Sequence, residues 1–197
     1  MAATGITDAN ACVVTGDAGN PAGASIHLTC AEMVSSLIHD SDGAFTGTCS
    51  DNDSTLGTAE NDMQTAYTSA SVQAADVNEL LGEIGGQTFY QGVYKWTNDI
   101  TMSANTTLSG TSSSVFIFCT TGNLTASNAT TITLAGGVLP QNIFWKVAGL
   151  AQLGTTSNFS GIILSQTGVV IQHQAVLTGR ALAQSDITLD ANTITHP

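Results

Sequence analysis

Residues 93–195 repeat in pattern rather than in identity, and that pattern limits what the chain can fold into. The segments Ile100–Ser103 (ITMS), Leu124–Ser127 (LTAS), Ala151–Gly154 (AQLG), Val169–Gln172 (VVIQ) and Ile187–Asp190 (ITLD) align without gaps. In each, the first and third residues are apolar and the others mostly polar or small. Such period-two alternation marks a strand with one buried face. About six residues on, a second column holds Leu108, Ile132, Phe159 and Leu177. Each is followed by Ser109, Thr133, Ser160 or Thr178. A third column precedes each copy: Val115–Phe118, Ile143–Trp145, Ile162–Leu164 and Ala181–Ala183, apolar on both sides. Three strand columns per repeat predict a mostly β chain: an irregular triangular parallel β-solenoid with clear coils at about 93–195. The copies start at 100, 124, 151, 169 and 187, so loops lengthen the first two steps.

A doubly apolar face needs a cover, and residues 58–73 supply one. Met63, Ala66, Tyr67 and Ala70 fall at i, i+3, i+4 and i+7, which predicts a helix. Thr58 is its expected N-cap, with Glu60 and Asp62 favourable near the positive end of the dipole. Met63 and Tyr67 are expected on the column of Phe116, Phe118, Trp145 and Leu164, or their neighbours. Asp76–Gly82 reads as a further short turn. The chain is expected to form one domain, 1–197.

Composition narrows the function. Only 9% of residues are charged, and the net charge is −12 with three basic groups, Lys95, Lys146 and Arg180. Nucleic-acid binding needs clustered cations, so it is excluded, and so is attraction to anionic membranes. No stretch of 18 apolar residues spans a membrane, and Met1–Thr4 opens no signal peptide. The excess of Thr and Ser with few Lys fits a secreted, extracellular chain. Cys12, Cys30, Cys49 and Cys119 form no C-x-x-C pair, and disulfides are expected with three pairings open. Asp40, Asp42, Asp51 and Asp53 lack EF-hand spacing and read as a solvated acidic loop rather than a metal site.

Several blocks in order carry a resemblance: ITDANACVVTGDAGNPAG, DMQTAYTSA, LLGEIGGQTFYQGVYKW, SVFIFCTTGNLTASNATTITLAGGVLPQNIFWKV and LTGRALAQSDITLDANTI. Together they resemble the microbial ice-binding (antifreeze) family, which has a discontinuous β-solenoid and a flanking helix. The resemblance implies that the N-terminal segment pairs beside the last coils. It implies no cofactor, no catalysis, and a monomer whose partner is the ice crystal surface.

Ice binding asks for a flat, rigid array. Parallel strands repeat every ~4.8 Å and outward side chains every ~6.6–7 Å along a strand, close to repeats of the ice lattice. The first column offers Thr101, Ser103, Thr125, Ser127, Gln152, Gly154, Val170, Gln172 and Thr188, with Asn128 and Thr155 at its border. Thr125–Asn128 (TASN) is similar to the family's T-A/G-x-T/N pattern. The competing face is Thr107, Ser109, Thr131, Thr133, Asn158, Ser160, Val176 and Thr178. An enzyme is disfavoured, because Asp99, Asp186 and Asp190 are the only carboxylates in the repeat and the histidines have no motif spacing. The alternative is an adhesin-like or carbohydrate-binding solenoid. It would need exposed aromatics, whereas Trp96 and Trp145 lie in the apolar column.

Overall fold

The fold, a computed structural model, is described here at residues 1–20, 25–40, 48–51, 56–78 and 81–197. The first and third predicted columns become sheets, while the second divides: Leu108 and Ile132 lie in a small sheet of their own, and Phe159 and Leu177 lie in long strands of the third. Every strand pairing described is parallel. Sheet I has the order Ile100–Met102, Leu124–Ala126, Ala151–Leu153, Val169–Ile171, Asp186–Leu189, Gly5–Asp8 and Ser25–Ile26. Sheet II joins Ile132–Ala135, Thr106–Ser109 and Thr88–Phe89. Sheet III runs from Val13–Thr15 through Thr193–Thr195, Val176–Ala183, Asn158–Ser165, Ile143–Val147, Phe116–Thr120 and Gly92–Trp96 to Val77–Asn78. A small sheet of Ala18–Asn20, Ile38–Asp40 and Ser50–Asp51 stands beside the N-terminal coil.

The solenoid is discontinuous. Gly5–Asp8 pairs with the last coil, Ile6 opposite Ile187 and Thr7 opposite Thr188, and Val13–Thr15 pairs with Thr193–Thr195. The helix, Leu56–Val72, then carries the chain to the far end, where Val77–Asn78 and Thr88–Phe89 open the first coil. Its 17 residues span ~25 Å at ~1.5 Å each, close to the ~29 Å of six strand steps in sheet I.

Inward residues of the three sheets meet in one cluster containing Ile100, Leu124, Leu153, Val169, Ile187, Leu108, Phe159, Phe118 and Trp145. Aromatic rings stack within it: Phe118 lies 4.2 Å from Trp145, and Phe89 meets Phe118 edge-on at 5.5 Å. The Trp145 indole N–H donates to the Ser160 carbonyl at 3.0 Å, which satisfies its buried polar atom.

The helix packs on strands Phe116–Thr120, Ile143–Val147 and Asn158–Ser165, the doubly apolar face. Phe116, Phe118 and Trp145 point into the solenoid, so it rests on Leu164 and on the outward neighbours of those rings. Cys119 Sγ donates to the Ala70 carbonyl, Lys146 Nζ stands 4.5 Å over the Tyr67 ring, and Lys95 Nζ donates to the Ser71 carbonyl at 2.8 Å. Met63 and Ala70 are buried as expected. Ala66 is exposed and Tyr67 only half-buried, its hydroxyl donating to Gln166 Oε1. The contact stripe on a flat sheet is narrower than the sequence pattern. The helix also begins before Thr58, so that residue is not its N-cap. Buried Leu56, lying against Gly19, draws the start upstream.

Three further expectations change. Val77–Asn78 is a strand rather than a turn, because it finds an edge on Tyr94 and Lys95 and Asp76 accepts the Val93 N–H at 2.8 Å. Leu108 pairs with Leu134 rather than Ile132, a slip of two residues that leaves the same face inward. One disulfide joins Cys30 and Cys49, while Cys12 and Cys119 are buried thiols. Most of the acidic loop, residues 41–47 and 52–55, lies outside the described residues.

Candidate ice-binding face

On sheet I the strands are short, and the three-residue ones have one central side chain facing outward between two that face inward. The inward pairs, from Ile100 and Met102 through Ala151 and Leu153 to Ile187 and Leu189, are all buried. The outward residues form one row across six strands: Thr101, Thr125, Gln152, Val170, Thr188 and Thr7. Five of these were expected, and each is half-exposed. Thr7 is exposed and Thr7 Oγ1 donates to Thr188 Oγ1 at 3.4 Å. Thr7 escapes a reading in chain order because its coil comes first in sequence and last in space. Its signal was nevertheless present: Ile6-Thr7 repeats Ile100-Thr101 and Ile187-Thr188.

Beside this row lies a second. Ser103 is exposed, and Ser127 and Gln172 are half-exposed. Gly154 differs from the expectation, for it is buried and offers no surface. A Cβ there would come within 2.7 Å of the Ala126 carbonyl and Asn128 Oδ1. Its missing side chain lets Asn128 lie across the coil and accept the Thr155 N–H at 3.0 Å. Asn128 is exposed at the border and Thr155 half-exposed. The row ends at Asp190, whose carboxyl is held below the usual carboxylate range by hydrogen bonds from Asn10 and then His173.

Side-chain oxygens lock successive coils along both edges of the face. Asp99 Oδ1 accepts the Asn123 N–H at 2.7 Å, and Asn123 Oδ1 accepts the Leu150 N–H at 2.8 Å. Asn105 Oδ1 accepts the Thr131 N–H at 2.9 Å. These bonds fix turns that would otherwise hold free donors. All three cations of the chain belong to sheet III, so no long basic side chain stands on this face.

The competing face is less regular. Thr107 stands opposite Thr133, but Asn158 stands opposite Thr131, so its outward row is offset midway. Ser160 is buried and Val176 interrupts the polar residues. Trp96 and Trp145 are both buried, so neither presents a ring to a sugar.

A parallel solenoid with an even Thr-containing face, bounded by exposed Glu83 bridged to Thr101 at one end, defines a class of protein suited to an extended, repeating target rather than to a pocket-sized ligand. Comparison with known proteins makes the class specific. A family described as "Ice-binding-like" matches residues 1–195. An ice-binding protein of Flavobacterium frigoris (strain PS1) is 44% identical over 202 residues, covering 100% of this chain and 72% of its own. One from a Colwellia species is 42% identical, covering 100% and 79%. The crystal structure of an ice-binding protein from the Antarctic ascomycete Antarctomyces psychrotrophicus superposes with a TM-score of 0.85 at 29% identity, covering 99% and 92%. The chain belongs to this ice-binding family.

Proposed function

We propose that the protein adsorbs to ice through the outer face of sheet I and so inhibits ice growth. The observation that carries this reading is the single register of six strands, which sets Thr101, Thr125, Gln152, Val170, Thr188 and Thr7 in one row. Strands ~4.8 Å apart give that row a length of ~24 Å. The β-branched threonines have few rotamers to lose, so little entropy opposes adsorption. Ser103, Ser127, Asn128, Thr155 and Gln172 widen the contact, while Gly154 serves it by letting Asn128 settle. Ice growing between adsorbed molecules must curve, and curvature makes further growth unfavourable.

The chain acts as one domain and as a monomer, outside the cell, without catalysis. Among the described residues Asp99 is occupied in a turn, and no helix is long and apolar enough to cross a membrane. The test is a freezing assay on purified protein. A gap between melting and freezing points with faceted crystals is expected, and round, freely growing crystals at high protein concentration would refute the reading.

A further inference from the structure

The N-terminal coil stacks on the last coils. A cleft of about 330 Å³ opens there, lined inside by Ile6, Val14, Leu28, Ile187, Leu189 and Ile194. Arg180, His196 and Asp17 stand at its mouth. Arg180 Nη2 lies 2.7 Å from His196 Nε2. A guanidinium can only donate, so the imidazole nitrogen is the acceptor in this contact. Asp17 is turned away: its Oδ1 accepts the Leu37 N–H at 3.0 Å, and Oδ2 lies 3.6 Å from His39 Nε2. The other two cations are engaged under the helix, Lys95 on the Ser71 carbonyl and Lys146 over Tyr67. In a chain of net charge −12, Arg180 is a cation with no carboxylate partner among the described residues, set at the rim of an apolar cleft.

We propose that this cleft binds an alkyl monocarboxylate, its chain among the Ile, Leu and Val side chains and its carboxylate on the Arg180 guanidinium. The apolar wall supplies the affinity and the planar fork of donors selects the carboxylate. Occupancy fills the cleft lined by the coil that carries Thr7 and the coil that carries Thr188, and so stabilises the folded chain by mass action.

Octanoate is the probe, with octanol as the uncharged control. In methyl NMR spectra of the whole chain, octanoate should give saturable shifts confined to Ile6, Ile187, Leu189 and Ile194, and should raise the melting temperature. Octanol should bind about tenfold more weakly. Arg180→Gln should bring octanoate down to the level of octanol, while Arg180→Lys recovers part of the difference. Both variants should melt and inhibit ice growth as the parent does, because Arg180 is exposed on sheet III. Shifts that do not saturate, that lie outside the cleft, or that are equal for octanoate and octanol and unmoved by Arg180→Gln would overturn the proposal.

Discussion

Ala129, Thr156, Gln174 and Ala191 have φ of 57, 56, 56 and 52°. The first three each lie five residues beyond the start of a sheet I strand, so a left-handed turn recurs at one corner of successive coils. That conformation costs a residue with a Cβ about 1–2 kcal/mol, and glycine in its place adds back about 0.5–1 kcal/mol of unfolded-chain entropy. Ala129→Gly should therefore stabilise the fold by about 0.5–1 kcal/mol at most, with ice activity unchanged. A lower melting temperature would contradict this.

A second residue-scale prediction concerns Asp8. Its Oδ1 accepts Cys12 Sγ at 3.0 Å, and burial followed by neighbouring Glu32 raises its pKa. Burial pushes Glu32 up as well, but hydrogen bonds from Asp8 and Thr29 outweigh it and leave Glu32 below its usual value. The shared proton thus rests on Asp8. Burial, with the bond to Asp8, lifts the Cys12 thiol to about 12, so it stays protonated. A raised folded-state pKa gives stability that is complete below the ordinary carboxylate range and is lost as pH rises through the raised value. Asp8→Asn keeps a donor toward Glu32 and an acceptor for Cys12 but cannot titrate. It should gain stability relative to the parent as pH rises from the ordinary carboxylate range through the raised value. A constant difference in melting temperature across that interval would contradict the assignment.

At the scale of elements, the helix shows what a sequence can and cannot disclose. Met63 and Ala70 were legible because apolar periodicity reports the buried face. The helix start was not, because Leu56 is fixed by a tertiary contact at Gly19 that no local cap signals. Strand columns were likewise legible from alternation. The two-residue slip at Leu108 and Leu134 was not, since it leaves inward parity intact. Met63, 3% exposed, lies in a second buried set with Leu56, Ala70, Cys119 and Leu164, apart from the interior cluster. Met63→Asp should cost several kcal/mol in chemical denaturation, whereas Met63→Leu should cost less than about 1.5 kcal/mol. Equal costs would mean that the helix is not held by this face.

At the scale of the whole molecule, chain order and spatial order part company. The coils at 100–190 stack in sequence, and a repeat within one stretch of chain finds them. The N-terminal coil stacks on the last of them, so the row on sheet I is completed by Thr7. The candidate site was legible where strands succeed one another and incomplete where the chain doubles back. Gly154 was misjudged because alternation gives direction but not depth. The choice between faces rests on evenness across the molecule: one register on sheet I, and on the competing face a row that shifts where sheet II meets Asn158 of sheet III.

That choice is tested most directly by matched intrusions. A long charged side chain at the middle of an adsorbing face holds its neighbours off the lattice, so its effect exceeds the loss of one contact. Thr125 stands between Thr101 and Gln152, and Thr131 lies on the competing row. Both are half-exposed, so Lys at either should change stability by no more than ~0.5 kcal/mol. The measurement is the melting–freezing gap of Thr125→Lys and Thr131→Lys at equal concentration, with unfolding curves confirming that both are folded. Thr125→Lys should lose most of the gap and Thr131→Lys should keep it. If Thr131→Lys abolishes the gap while Thr125→Lys retains it, sheet I is not the face that meets ice.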